Sequence, residues 1–133
     1  MTTVITFGTF DVFHVGHVNL LIRAANLGDR LVVGVSTDRL SAAKKGRKPV
    51  YRQDHRIEIV RNLACVNQAF YEHSLEAKRS YIEKFRANIL VMGDDWAGKF
   101  DSLGDICDVR YLPRTEDVST TSIIRDIRLR GTE

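Results

Sequence analysis

The chain has 133 residues, 44% apolar and 28% charged, with only two prolines. That length suits one domain, residues 1–133, around a single core, and the balance excludes an extended disordered chain. The net charge of +3 suits an anionic small molecule and makes no case for nucleic acid, because no Lys/Arg block is interleaved with aromatics.

In chain order, Val4–Phe7 is an apolar run ending at Gly8 and reads as a buried first strand. Val18–Leu27 places Leu20, Leu21, Ala24 and Leu27 at helical spacing, with Gly28 as its expected C-terminal cap. Leu31–Ser36 is β-branched and apolar on both faces, as parallel strands covered by helices are. Strand, helix and strand within about 35 residues make a βαβ unit. Thr37–Tyr51 lacks periodicity, carries Lys44, Lys45, Arg47 and Lys48 around Gly46, and is expected to be a mobile basic loop. Gln53–Leu63 is helical, with Ile57, Val60 and Leu63 on one face. Val66–Tyr71 is a weaker strand, Glu76–Phe85 a helix with Ile82 and Phe85 inward, and Ile89–Met92 a strand ending at Gly93-Asp94-Asp95-Trp96. Val109–Leu112 is the last strand and Ser119–Leu129 the last helix.

This alternation predicts a single-domain, doubly wound α/β fold, Rossmann-like, with about five parallel strands. In such sheets ligands sit beyond the carboxyl ends of the strands, where strand order reverses. Three turns should therefore meet there: the one after strand one, Gly93–Trp96, and Pro113–Thr121. The cysteines, Cys65 and Cys107, are far apart and form no CxxC pair, so reduced thiols are expected. The start of the chain lacks the pattern of a signal peptide, and no apolar run approaches about 18 residues, so a cytoplasmic protein without membrane insertion is expected.

The chemistry concentrates in Thr9-Phe10-Asp11-Val12-Phe13-His14-Val15-Gly16-His17. A strand-to-helix turn aims backbone N–H groups and the positive end of a helix dipole at its guest, usually phosphate. Two imidazoles three apart can donate hydrogen bonds to charge developing on that phosphate. Zinc is the competing reading of an H-x-x-H pair, but Asp11 is the only nearby carboxylate and His55 and His73 lie in unrelated segments. Lys44 and Lys45 are ammonium groups on long stems that suit phosphate. Arg114-Thr115-Glu116-Asp117-Val118-Ser119-Thr120-Thr121 combines a guanidinium, hydroxyls and the start of a helix, so it reads as a second phosphate cradle with Ser119 as helix cap. The Asp94-Asp95 pair suits a metal, or a base and sugar. Walker A, GxGxxG and GxSxG signatures are absent. No side chain reads as an activated nucleophile, so direct displacement at phosphorus fits best.

Gly8-Thr9-Phe10-Asp11 with His14-Val15-Gly16-His17 resembles the HxGH signature of the nucleotidyltransferase superfamily. Arg114–Thr121 resembles the RTEGISTT motif of its cytidylyltransferase branch. Met92-Gly93-Asp94-Asp95-Trp96, Gly98-Lys99-Phe100-Asp101 and Tyr111-Leu112-Pro113 are similar to the glycerol-3-phosphate cytidylyltransferase family within that branch. The resemblance spans Val4 to Ile127 and implies a specific reaction: CTP and sn-glycerol 3-phosphate give CDP-glycerol and pyrophosphate, by attack of the acceptor phosphate on the α-phosphorus.

It also implies roles. His14 and His17 would stabilise the transition state with Lys45 and Arg114. Thr9, Phe10, Asp11, Gly16, Asp94, Thr115, Ser119, Thr120 and Thr121 would hold the nucleotide. Lys44 and Lys78 would meet the glycerol phosphate, with Asp38 as a supporting carboxylate. Magnesium would accompany CTP without a dedicated cage of protein ligands, the chain would form a homodimer, and the product would feed a cell-surface polymer.

Two departures stand out. Asp117 occupies a position where the family has glycine, and Ala64-Cys65-Val66-Asn67 stands where related enzymes have Arg-Tyr-Val-Asp, which opens the identity of the acceptor. The alternatives are the same chemistry on another polyol or sugar phosphate, including an ATP-dependent heptose reaction, and a nucleotide-binding domain without catalysis. A Gly-Gly-Asp-Tyr turn characterises the heptose branch, against Gly93-Asp94-Asp95-Trp96 here.

Overall fold

A computed structural model of the chain, described over residues 1–131, contains one five-stranded parallel sheet in the order β3-β2-β1-β4-β5. In chain order the elements are β1 (Thr3–Gly8), α1 (Val15–Ala25), β2 (Arg30–Ser36), α2 (Asp38–Lys45), α3 (Gln53–Arg61), β3 (Gln68–Glu72), α4 (Lys78–Lys84), β4 (Ile89–Gly93), β5 (Asp108–Leu112) and α5 (Thr120–Arg130). Two 3₁₀ turns, Asp94–Trp96 and Asp101–Asp105, lie between β4 and β5. The chain winds outward from β1 to β3, returns, and winds the other way through β4 and β5. Strand order thus reverses between β1 and β4, as the βα alternation predicts.

Alternate residues of the central strands feed opposite layers. Val4, Leu31, Val33 and Val35 pack with Leu21 and Ala24 of α1 and with Ile57 and Val60 of α3. Ile5, Phe7, Val32 and Leu90 pack on the other face with Ile82 of α4 and with Leu103. This two-sided burial is why β2 reads as a continuous apolar run. Each fully buried aliphatic side chain contributes roughly 1.5–3 kcal/mol relative to an exposed one.

The structure departs from the sequence reading in several places. α1 begins at Val15, not Val18, because His14 acts as its N-cap. Gly28 is not the left-handed cap of α1; the C-cap is Asn26, in ordinary helical geometry. A Cβ at residue 28 would lie 2.7 Å from the Thr2 carbonyl oxygen, so close backbone approach requires that glycine. The expected mobile loop Thr37–Tyr51 contains α2 instead. The Thr37 hydroxyl accepts from the Leu40 N–H at 3.2 Å, Asp38 occupies the first turn, and Lys44 and Lys45 the last. Those placements suit the helix dipole. Ser41 is the only buried residue of α2, so it shows no apolar stripe to detect. β3 runs two residues later at its start, and α4 is shorter at both ends.

Candidate active site

The turn from β1 into α1 is built by its own histidines. His14 Nδ1 accepts from the Gly16 N–H at 3.0 Å, and His17 Nδ1 accepts from the His14 N–H at 3.2 Å. Each imidazole caps backbone donors of the first turn, the work usually done by Ser, Thr or Asp. With Nδ1 accepting, a neutral ring carries its proton on Nε2, so both histidines are Nε2–H donors. Gly16 permits this arrangement: a Cβ there would lie 2.8 Å from both His14 Cε1 and Val118 Cγ1.

Burial, then the neighbouring His14, Lys45 and Arg114, pushes His17 down to about 3. His14 is lowered by burial and then by Arg114. His17 therefore acts at neutral pH as a hydrogen-bond donor and not as a cation.

The turn is strained on both sides of Asp11. Phe10 has φ 56° and Val12 φ 47°, and a β-branched residue in that region is unfavourable. Asp11 pins it. Its carboxylate accepts from the Val50 and Tyr51 N–H groups at 2.7 and 2.8 Å, while its carbonyl accepts from the Thr120 hydroxyl at 2.8 Å.

The second cradle docks against α1 through Asn19, which donates to the Thr115 hydroxyl at 3.0 Å, and through Arg23, which donates to the Pro113 carbonyl at 3.0 Å. Ser119 caps α5, its hydroxyl accepting from the Ser122 N–H at 3.1 Å. Asp117 takes φ 62°, the left-handed conformation for which glycine is the easier residue and Asp a tolerated one.

These two helix starts share one cavity of about 210 Å³ at the carboxyl ends of β1 and β4. Its wall brings together Asp11, His14, Gly16, His17, Lys45, Arg114, Thr115, Ser119, Thr120 and Thr121. It also includes Asp95 and Trp96 of the Gly93–Trp96 turn, and not Asp94, the residue the resemblance gives to the nucleotide, whose carbonyl closes the 3₁₀ turn onto Ala97. Arg114 Nη1 lies 4.0 Å from Asp95 Oδ2. An adjoining cavity of about 190 Å³ carries Thr9 and a cationic rim of Lys45, Arg47, Lys48 and Arg128. Phe10 is buried beneath the turn, its ring 5.5 Å from that of His17.

Lys44, Lys78 and Asp38 lie outside both cavity walls. Lys44 Nζ donates to Ser36 Oγ at 3.0 Å, Ser36 Oγ donates to Glu72 Oε1 at 3.0 Å, and Lys78 Nζ donates to Glu72 Oε2 at 2.5 Å. Asp38 pairs with Arg56 at 2.6 Å.

Arg56 is fully buried and also donates to the carbonyls of Tyr51, Thr9 and Ser36 at 2.7–2.9 Å. It thereby ties β1, β2, α2 and α3 together beneath the site. Its signal in the sequence is its spacing with Val60 and Leu63, which places a guanidinium on the apolar face of α3.

For magnesium, the donor set decides the fit. Among the described residues no three His, Cys, Asp or Glu side chains converge. Both Asp11 oxygens already accept backbone N–H groups, which leaves Asp95 as the exposed carboxylate on the wall. One carboxylate plus substrate phosphates is a donor set that magnesium uses.

Fold and site together define a nucleotidyltransferase, and comparison with known proteins gives the branch. The cytidylyltransferase-like family profile matches residues 5–126, and the chain belongs to that family. It is 48% identical over 127 residues to the glycerol-3-phosphate cytidylyltransferase of Bacillus spizizenii, covering 96% of this chain and 98% of that one. It is 41% identical to the Staphylococcus aureus enzyme of the same name, covering 96% of each. Among solved structures it is similar to a lipopolysaccharide core biosynthesis protein from Thermoplasma volcanium, with a TM-score of 0.68 and 25% identity over 86% of this chain and 97% of that one. No helix among the described residues is long and apolar enough to cross a membrane.

Proposed function

We propose that this chain transfers CMP from CTP to sn-glycerol 3-phosphate, giving CDP-glycerol and pyrophosphate. The observation that carries the reading is the single cavity onto which two helix N-termini, two Nε2–H imidazoles, Lys45 and Arg114 converge. The named relatives at 41–48% identity support both substrates.

An oxygen of the acceptor phosphate attacks the α-phosphorus of CTP, and the bond to the pyrophosphate oxygen breaks. No side chain becomes covalently attached, so catalysis is positioning plus charge stabilisation. His14 and His17 donate to the oxygens that gain charge. Lys45, Arg114 and the start of α5 at Ser119–Thr121 hold the triphosphate. Trp96 is the wall group suited to the base and ribose, in place of Asp94. Asp95 would hold the magnesium that accompanies CTP, which would supply neutralisation of charge on the leaving pyrophosphate.

The same reading carries a cytoplasmic homodimer whose product feeds a surface polymer, supported by the motif resemblance; light scattering on the purified chain tests the dimer. Reaction with α-labelled CTP tests the transfer. The label should appear in a product with the mass of CDP-glycerol, and label found only in CMP would overturn the reading.

A further inference from the structure

A buried carboxylate that the mechanism does not use holds the two lysines that the resemblance would give to the acceptor, both just outside the cavity walls. Glu72 ends β3 opposite Ser36 of β2 and is wholly buried. One of its oxygens takes the Lys78 ammonium and the other the Ser36 hydroxyl, which in turn accepts from Lys44. The Lys78 ammonium also lies 4.7 Å from the ring centroid of Phe7, and Phe7 lines the main cavity. One carboxylate thus fixes two ammonium groups at the carboxyl ends of the strands, one of them a single ring from the cavity.

We propose that Glu72 is the positioning residue of the acceptor subsite, fixing Lys44 and Lys78 at the carboxyl ends of the strands, where the acceptor's phosphoryl group would meet them. This rests on the reading that the acceptor is a phosphomonoester.

The charge balance supports it. Lys44 is pushed down to about 8, first by burial and then by Lys78, Lys45 and Arg56, and Glu72 is the group that acts in the opposite sense. Arg56 is itself paired with Asp38. Without Glu72 the buried Lys78 ammonium loses its carboxylate, and Lys44 loses the one group that opposes its lowering, so the charged form of Lys44 is lost at lower pH. A phosphate dianion would then meet one cation fewer at neutral pH.

The test is steady-state kinetics of wild type and Glu72→Gln from pH 6 to pH 9, with CTP and glycerol 3-phosphate varied separately. Gln is isosteric and keeps a partner for Ser36. At pH 8 the acceptor KM should rise at least tenfold while the CTP KM stays within threefold, and the alkaline limb of kcat/KM for the acceptor should move down by a full pH unit. Glu72→Asp should recover part of both. An unchanged alkaline limb, or equal losses on both substrates, would overturn the proposal.

Wild type with glycerol 3-phosphate separates the two ideas. If it turns over only another phosphomonoester, the acceptor reading fails and the Glu72 comparison is made with that acceptor. If Glu72→Gln does not fold, Ser36→Ala cuts the link to Lys44 alone and should shift the same limb in the same direction; no shift would overturn the proposal.

Discussion

The imidazoles of His14 and His17 stack with their centroids 3.8 Å apart, each held by a backbone N–H at its Nδ1 atom. The caps that start α1 therefore also fix the tautomer of both rings and leave Nε2–H as the donor. Helix capping and transition-state stabilisation are carried out by the same atoms. His17→Ala should lower kcat by about a hundredfold or more, the loss typical of removing one donor to a developing charge. Near-wild-type turnover with an intact circular dichroism spectrum would show that the ring only caps.

Stability should depend on pH through the same residue. His17 titrates at about 3 in the fold and near 6.5 when unfolded. The unfolded chain binds the extra proton between those values, so stability is full above about pH 6.5 and falls as pH drops toward 3. Between pH 7 and pH 5 this amounts to about 2 kcal/mol. Urea unfolding of wild type and His17→Gln at both pH values reads it. The variant should lose about 2 kcal/mol less than wild type, and equal losses would place the titrating group elsewhere.

Arg56 is the hidden support of the site. Arg56→Met should cost about 3 kcal/mol, because buried carbonyls of Thr9 and Ser36 lose their donor and Asp38 its partner. That is the low end for a broken buried pair, since Asp38 can turn to water. A loss under about 1 kcal/mol in denaturant unfolding would mean that water replaces the guanidinium.

The alternation of strands and helices was legible because apolar runs on two-sided strands and amphipathic α1 and α3 obey simple periods. The cavity's position followed from that topology, and most of its wall from two motifs. α2 was not legible, because its burial rests on Ser41 alone and its ends are set by a cap and by charge. Arg56 and Glu72 were also hidden. Arg56 bonds to residues 5–47 positions away and Glu72 to side chains 6 and 36 positions away, and pattern in a short window does not carry pairings between elements. Asp95 against Asp94 was decided by the 3₁₀ turn after β4, which spacing alone does not specify.

Ala64 and Asn67 stand at the amino end of β3. Glu72 closes the other end, about 13 Å away along the strand from the start of β3. Asn67 has a structural task, its Oδ1 accepting from the Leu31 N–H at 2.8 Å. Ala64→Arg with Asn67→Asp should therefore change kcat/KM for the acceptor by less than about threefold, well under 1 kcal/mol of transition-state energy. A larger change in steady-state kinetics would tie this end of the sheet to acceptor choice.

Arg114 is exposed on the cavity wall, near Asp95 and close enough to depress both histidines. Arg114→Ala should raise the KM for CTP by roughly tenfold or more, as loss of charge-assisted bonds to phosphate does. The KM for the acceptor should move far less. An effect confined to the acceptor would reverse the two substrates in the site.

The most direct test of the whole account is pyrophosphate release, with CTP and ATP each offered against a panel of polyol and sugar phosphates. Release with CTP and glycerol 3-phosphate, and not with ATP, is the predicted result. Release only with ATP or with another acceptor would contradict the substrate assignment, and no release from any pair despite CTP binding would contradict catalysis itself.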